Sequence, residues 1–308
     1  MALTFTLLWA GGAQAVGPFS HLILAERIAH LAPGQAADPA VRQALFLGAL
    51  VLDAGYYPGG DSRLAEAGHN IEPWRVCRAL LDLAQTPAQR AFALGYLSHA
   101  LIDQAAHREL VNPLAGAAFS LSPLDHKRVE WGLDCWWLGQ PAHAWLWQAA
   151  GLTSPEGLDL WRRGLERTYG ARMAPQLLTA AVAAELKTVD ELPLIFQLSG
   201  QTRRPDAWLG NALGWLLGLT ARPLAVGYMR WRGGYMNEIA VLDARPATPA
   251  DAANLERLMA GVVERLPAIL AGGEMPSGNL DADPACETGG CPDTEAAKAW
   301  LAGLPRAE

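Results

Sequence analysis

The chain of 308 residues is moderately apolar and mildly acidic: hydrophobic residues make up 51% of it, charged residues 18%, and the formal net charge at pH 7 is -7. Such a chain can bury a large core, as one sizeable domain or as two closely packed ones. The acidic balance, without any block of Lys and Arg, excludes the electrostatic footprint expected of a protein that binds duplex nucleic acid. It does not exclude a small or single-stranded phosphate substrate.

The N-terminal segment resembles a signal peptide. A short apolar run precedes Ala13-Gln14-Ala15, which is the small-x-small pattern of signal-peptidase cleavage sites. No basic residues precede the run, so a buried helix is the alternative reading. Cleavage after Ala15 would remove residues 1–15, make Val16 the N-terminal residue and predict a secreted or periplasmic protein.

Apolar residues at helical spacing, with Gly or Pro between the runs, predict five helices in the first half of the chain. These helices cover residues 21–32, 41–55, 72–85, 87–110 and 124–139. Two later stretches, 154–170 and 248–270, begin with Ser or Thr followed by Pro, a typical helix start. Alternating β-branched runs are nearly absent. The predicted fold class is therefore all-α, a multi-helix bundle.

The main loops are predicted at residues 56–63 and 272–294, which are rich in Gly, Pro and Asp. The apolar stretch 207–229 contains Asn211 and the Arg222-Pro223 pair, so it is interpreted as a buried helix that breaks and not as a membrane span.

The four cysteines form no Cys-x-x-Cys zinc pattern. Cys286 and Cys291 flank a Gly-containing loop that permits a local disulfide in an oxidising compartment. Two free thiols are the alternative, and a metal site is the less favoured interpretation of this pair.

All seven histidines precede residue 144, and three of them take part in two related patterns. His99, Asp103 and His107 recur every four positions in "LGYLSHALIDQAAH", which puts them on roughly one face of a helix. His126 and Glu130 repeat the pairing of an imidazole with a carboxylate one turn away. Imidazole nitrogens and carboxylate oxygens are zinc ligands, and burying so many titratable groups without a partner is costly. The spacing therefore predicts a metal site.

Five segments in this order resemble the ligand segments of the bacterial zinc-dependent phospholipase C family: "VGPFSHLILAERI", "FLGALVLDAGYYPGGD", "AEAGHN", "ALGYLSHALIDQAAH" and "HKRVEWGLD". That family shares its all-α fold with single-strand-specific fungal zinc nucleases. The resemblance implies a zinc-binding helical core over residues 16–140. Residues 141–308 would complete the same domain or form a closely packed second one.

The resemblance also implies three zinc ions. The ligands of the first ion would be Asp53, His69, His99 and Asp103. The second ion would share Asp103 and bind His21 together with the free amine and the carbonyl group of Val16. The ligands of the third ion would be His107, His126 and Glu130. Removal of the signal peptide would then create the amine that binds the second ion.

The sequence departs from the family pattern in three places. Val16 stands where relatives usually have Trp, and only three residues separate Asp103 from His107, where the best-known phospholipases have five. The segment before Asp53 lacks the Pro often found there, which leaves Asp61 as an alternative first ligand.

Zinc ions would neutralise the oxygens of a phosphodiester, lower the pKa of bound water and stabilise the leaving alkoxide. Asp53 is expected to orient or deprotonate the attacking water. The implied substrate is a phospholipid or another small phosphodiester, with transient contact at a membrane surface. A nuclease-like phosphodiesterase and a secreted zinc-binding protein without activity are the alternatives.

The remaining candidate residues have an ordinary structural interpretation beside the functional one. Tryptophans near the third zinc segment could line an apolar mouth or pack in the core; they are Trp131, Trp136 and Trp137. The Arg203-Arg204 pair is interpreted as part of a solvated loop more readily than as a phosphate contact. His30 and His143 have no carboxylate at metal spacing and are expected to be structural.

Overall fold

The computed structural model describes residues 17–32, 38–148, 151–202 and 243–307. In this part of the chain the regular elements are helical, and the β pairing is limited to one isolated bridge between Ala171 and Arg306. The predicted all-α class is confirmed. None of the described helices is both long enough and apolar enough to cross a membrane.

The helices follow one another in chain order as α1 (Pro18–Ile28), α2 (Pro39–Leu50), α3 (Ser62–Asn70), α4 (Pro73–Leu83), α5 (Pro87–Ala106), α6 (Asn112–Ala115), α7 (Pro123–Leu138), α8 (Pro155–Tyr169), α9 (Pro175–Leu198), α10 (Pro249–Leu270), α11 (Pro284–Glu287) and α12 (Pro292–Gly303). Short 3-10 turns cover Ala29–Leu31, Val51–Tyr56 and Pro141–Gln148, and a π turn covers His107–Val111.

Helix starts follow from local chemistry. Most of these helices have Pro in the first turn, where its missing N–H costs no hydrogen bond. Thr86 and Thr248 each form a capping box, with Gln89 and Asp251 respectively, at the starts of α5 and α10. Ser154 accepts a hydrogen bond from the first turn of α8. The Ser-Pro and Thr-Pro starts predicted near residues 154 and 248 are thus confirmed.

The centre of the bundle is the pair α2 and α5, whose backbones approach closely through two glycines. A Cβ on Gly48 would lie 2.1 Å from the Phe92 carbonyl oxygen, and one on Gly95 would lie 2.1 Å from the Leu45 carbonyl oxygen. Helix α5 also packs against α1, α4, α8 and α10, so nearly all of its side chains are buried. Any polar group on α5 near its C-terminal end is therefore inside the protein.

Several predicted boundaries differ from the structure, and four of the differences bear on the site or on the loops. The helix predicted over 41–55 ends at Leu50 and continues as the 3-10 turn, because Gly55 lies against the returning chain: a Cβ there would be 2.3 Å from the Asp61 carbonyl oxygen. The helix predicted over 87–110 changes to the π turn at His107. The loop predicted at 56–63 gives way to α3 at Ser62, and the tail predicted as a loop includes α11 and the start of α12.

The second half of the chain packs directly on the first. Helix α8 contacts α4, α9 contacts the 3-10 turn Val51–Tyr56, and α10 contacts α5. Cys286 and Cys291 form a disulfide, one of the two alternatives expected for this pair, while Cys77 and Cys135 are free and buried. The predicted signal peptide and the apolar stretch 207–229 lie outside the described residues.

Candidate metal centre

Four elements bring five predicted ligands together at the C-terminal half of α5. His99 and Asp103 lie on α5 itself, His21 on α1, His69 near the end of α3, and Asp53 in the 3-10 turn. None of the five side chains is more than 1% exposed. They form a polar cluster inside an otherwise apolar bundle.

Asp53, His69, His99 and Asp103, here the Asp103 group, each offer one ligand atom, and these atoms all lie within 4.8 Å of one another. Asp103 Oδ2 is 3.1 Å from His99 Nε2 and 3.3 Å from His69 Nε2. Asp53 Oδ1 is 3.1 Å from His69 Nε2. One ion can therefore contact all four side chains.

The second carboxylate oxygen of Asp103 faces His21 on α1. Asp103 Oδ1 is 3.4 Å from His21 Nε2, and the His21 and His99 rings stack with their centroids 3.6 Å apart. A carboxylate whose two oxygens face two separate sets of nitrogens has the geometry to bridge two ions.

Backbone carbonyls orient two of these rings. His69 Nδ1 lies 2.8 Å from the Ala65 oxygen, and His99 Nδ1 lies 2.7 Å from the Ala49 oxygen. A carbonyl oxygen only accepts hydrogen bonds, so each Nδ1 carries the hydrogen and each Nε2 faces the carboxylates. Outer partners of this kind are typical of metal-binding histidines.

Several atoms of the cluster lack a hydrogen-bond partner: both ring nitrogens of His21, Asp53 Oδ1, His69 Nε2 and Asp103 Oδ1. Burial lowers the pKa of His69, but the nearby carboxylates of Asp103 and Asp53 outweigh it and hold that pKa well above its usual value. The metal-free cluster thus balances its carboxylates with protons. A divalent cation would replace those protons and satisfy the unpaired atoms, so these residues fit a metal.

His107, His126 and Glu130, here the Glu130 group, form a second set of ligand atoms within 4.8 Å of one another, and all three residues are fully buried. His107 Nδ1 lies 3.2 Å from the Leu280 oxygen, and His126 Nε2 lies 2.6 Å from the Ala117 oxygen. This leaves His107 Nε2, His126 Nδ1 and Glu130 Oε1 without partners. Each residue has one oriented atom and one free atom, which again fits a metal.

Burial disfavours the charged forms of both His107 and Glu130, so it moves their pKa values in opposite directions. It lowers the pKa of His107 to about 3 and raises the pKa of Glu130 to about 8, although Lys127 acts in the other direction on Glu130. In the metal-free protein the His107 ring is therefore neutral at pH 7 and can bind a metal without losing a proton. The Glu130 carboxyl instead carries a proton that a cation would displace.

The position of His107 differs from the simple helical prediction. The spacing predicts it on one α-helical stripe with His99 and Asp103, but it opens the π turn that follows α5. Its ring lies 5.8 Å from that of His126, so it belongs to the Glu130 group. One continuous run of helix still contributes to both groups.

Asp134 is a structural partner of the site that the sequence did not reveal. Its Oδ1 accepts hydrogen bonds from the Ser20 amide and hydroxyl, and its Oδ2 accepts one from the Phe19 amide at 3.1 Å. A Cβ on Gly17 would lie 2.1 Å from Asp134 Oδ2, so glycine is required there. Burial raises the pKa of Asp134 to about 7 against these hydrogen bonds. Asp134 thus fixes the start of the helix that carries His21 against α7.

The loop before α11 is a second partner that the sequence did not reveal. The Leu280 amide donates to the His69 carbonyl at 3.0 Å, and the Leu280 carbonyl accepts from His107. Asp281 Oδ2 accepts a hydrogen bond from the side-chain amide of Asn70 at 2.8 Å, while Asp281 Oδ1 lies 3.9 Å from His107 Nδ1. The loop contacts ligands of both groups. No local spacing points to it, since about 170 residues separate it from His107.

Other predicted residues lie away from the cluster. Asp61 caps α3 and pairs with Arg63 at 2.6 Å. His30 is exposed and bonded to the Arg27 carbonyl, and His143 packs edge-on against Trp137.

Two of the three tryptophans near the Glu130 group pack in the core, which is the structural alternative considered for them. Trp131 and Trp137 are each 3% exposed, and Trp131 packs against Phe196 in the core. Trp136 is partly buried. Val16, Arg203 and Arg204 lie outside the described residues.

In the comparison with known families, the zinc dependent phospholipase C family model matches residues 20–174. The match includes every predicted side-chain ligand of both groups and ends before the Leu280 loop. Comparison with curated proteins and with solved structures gives no match.

Proposed function

Because the chain belongs to the zinc-dependent phospholipase C family, we propose that it is a zinc-dependent phosphodiester hydrolase that releases the phosphorylated headgroup from a phospholipid. The main support is the pair of adjacent buried ligand groups, which contain nitrogen and oxygen atoms without a hydrogen-bond partner that a cation could bind. The family match covers half of the chain and contains both groups.

In this proposal the chain binds three zinc ions through the ligand groups described above. Asp53, His69, His99 and Asp103 would hold the first ion, and the Glu130 group would hold the third. Asp103 and His21 would hold the second, with Val16 completing its ligands. When bound, zinc supplies a low-pKa water and neutralises phosphate charge.

The protein's own residues supply the remaining chemistry. Asp53 is the carboxylate of the Asp103 group that faces a single set of nitrogens, so it is free of the bridging role of Asp103. We assign to Asp53 the orientation of the attacking water and the acceptance of its proton. Backbone carbonyls at Ala49, Ala65 and Leu280 hold the histidine rings in place.

Secretion is part of the same proposal. Asp134 and Gly17 fix the chain just after Val16 and just before His21, so a free amine at Val16 would be held next to the helix that carries His21. Cleavage after Ala15 would then complete the site outside the cytoplasm.

The deciding experiment uses the mature protein, beginning at Val16, with phosphatidylcholine, phosphatidylethanolamine, phosphatidylinositol and single-stranded DNA in parallel. Hydrolysis of a phospholipid, with release of a phosphorylated headgroup, supports the proposal. Cleavage of DNA alone favours the nuclease alternative, and zinc binding without any hydrolysis favours the non-catalytic one.

We expect the purified mature protein to contain about three zinc ions per chain, the number that two ligand groups and a bridging Asp103 can hold. A chelator should abolish hydrolysis and lower Tm, because an ion that binds only the folded state adds its binding energy to folding. Elemental analysis and thermal unfolding provide the measurements. His99→Ala and Glu130→Ala should each reduce zinc content, while His30→Ala should not. Active protein free of zinc would contradict the proposal.

Zinc binding to the Glu130 group should strengthen as the pH rises. Burial raises the pKa of Glu130 to about 8, so below that pH the incoming ion must displace a proton, whereas the His107 ring is already neutral. The apparent affinity should increase by up to about tenfold per pH unit below about pH 8 and level off above it. Titrating zinc into the His99→Ala variant, in which zinc binding to the Asp103 group is weakened, isolates this effect. An affinity independent of pH between about 6 and 8 would contradict it.

A further inference from the structure

Lys127 is an unusual residue beside the Glu130 group. Its side chain is 1% exposed, whereas lysines are rarely fully buried without a charged partner. Its Nζ lies 2.9 Å from Glu130 Oε2 and 5.8 Å from the centre of the Phe119 ring. The adjacent Arg128 is a contrast: it is 29% exposed and pairs with Asp125 and Asp243. Only one of these two neighbouring cations points into the site.

The contact with Lys127 divides the Glu130 carboxylate into two different oxygens. Oε2 accepts the hydrogen bond from Lys127, and Oε1 has no partner and belongs to the set with His107 Nε2 and His126 Nδ1. A carboxylate held in this way presents one oxygen to an ion and cannot turn to offer both without giving up a buried ammonium. Lys127 therefore restricts the ligand geometry of Glu130.

The same contact changes the charge around the ion. The Asp103 group contributes two carboxylates, Asp53 and Asp103, to its ligands. The Glu130 group contributes one carboxylate and two neutral rings, and the Lys127 ammonium cancels that single negative charge. With Lys127 present, a dication in the Glu130 group would thus carry one more unit of net positive charge around it than without Lys127, in a buried place where charge is poorly screened.

We infer that Lys127 is a positioning residue that holds Glu130 to one-oxygen ligation and leaves surplus positive charge at the Glu130 group, where it attracts the phosphate of the substrate. The inference rests on the proposed function, since it concerns an ion bound at this group. Lys127 acts through Glu130 and through its charge, and its ammonium does not itself contact the substrate.

The test replaces Lys127 with methionine, which keeps an unbranched apolar stem beside Phe119 and removes the charge. Zinc affinity of the Glu130 group, defined as the class of sites lost in Glu130→Ala and compared at a pH where Glu130 is ionised in both proteins, should rise by at least about tenfold because a nearby positive charge is gone. Inhibition by inorganic phosphate should weaken by about tenfold for the same reason. A competing chelator measures the first effect and phosphate inhibition the second.

Two further variants make the result specific. Lys127→Arg keeps the charge and should retain wild-type zinc and phosphate affinities more closely than the methionine variant. Arg128→Met removes a cation from the same helix on its solvent side and should change neither affinity. If Lys127→Met is poorly folded, Lys127→Gln provides a second neutral side chain and should shift both affinities in the same directions.

The outcomes separate the inference from the proposed function. A wild-type protein that binds no zinc would refute the proposed function. A wild-type protein that loads zinc, with unchanged or weaker zinc binding in Lys127→Met or Lys127→Gln, would overturn the inference alone. Equal changes in zinc and phosphate affinity in Arg128→Met would also overturn it, because the effect would then come from the net charge of the protein and not from the position of Lys127.

Discussion

Replacing Asp103 with asparagine should remove more zinc than any other single ligand substitution and reduce hydrolysis by more than about 100-fold, the upper range for changes to outer partners of metal ligands. Asp103 faces His69 and His99 through Oδ2 and His21 through Oδ1, so both oxygens are in use. Asparagine keeps the shape and one oxygen, but it would lose the negative charge that lies between two dications in the proposed site.

Asp61→Asn is the matched control for this substitution. Asp61 makes a hydrogen bond with the Arg63 amide and an ion pair with the Arg63 side chain, and it is not among the atoms of either ligand group. Its replacement should leave zinc content and turnover nearly unchanged and reduce Tm at most slightly, through the lost ion pair with Arg63, because asparagine caps a helix as well as aspartate does. Zinc content near the wild-type value in Asp103→Asn would show that Asp103 does not bridge two ions.

The helices and the paired ligands were predictable because their determinants are local. A His and a carboxylate four residues apart on one helix face the same way wherever that helix packs, which holds for His99 with Asp103 and for His126 with Glu130. Proline and Ser or Thr at helix starts act within a single turn, so the starts of α8 and α10 could also be predicted from the sequence.

The supports of the site were not predictable from local pattern. Asp134 meets the start of α1 more than 110 residues earlier in the chain, and Leu280 meets His107 across 173 residues. Such contacts depend on how helices pack, which periodicity within a helix does not encode. The backbone at His107 and Asp53 was missed for a related reason, because π and 3-10 turns have no distinct apolar spacing.

Lys127 shows the limit of spacing arguments most clearly. Adjacent helical residues point about 100° apart, so a residue next to His126 is expected to face away from the metal site. The long lysine stem instead reaches Glu130, three residues further along α7, in the interior. Side-chain length and burial decided this contact, and neither can be read from the position of Lys127 beside a ligand.

Replacing Asp53 with asparagine should have a different effect from replacing Asp103. Asp53 Oδ1 lies 3.1 Å from His69 Nε2 and 3.8 Å from His99 Nε2, so in the proposed site it would bind one ion only, and three other ligands of that ion would remain. Most of the zinc should therefore stay bound. Turnover should fall by about 10²–10⁴-fold, the usual contribution of a general base, because asparagine cannot accept the proton of the attacking water.

The measurement compares zinc content, kcat and KM for wild type, Asp53→Asn and Asp61→Asn of the mature protein. We expect the loss in Asp53→Asn to lie mainly in kcat, since a group that acts only on the transition state contributes little to substrate binding. A loss of activity that merely follows the loss of zinc would make Asp53 a ligand without the catalytic role assigned to it. Normal turnover in Asp53→Asn together with an inactive Asp61→Asn would mean that Asp61, in the loop before α3, is the first ligand. The structure opposes that assignment, because the Asp61 carboxylate is bonded to Arg63 and is not among the ligand atoms of the Asp103 group.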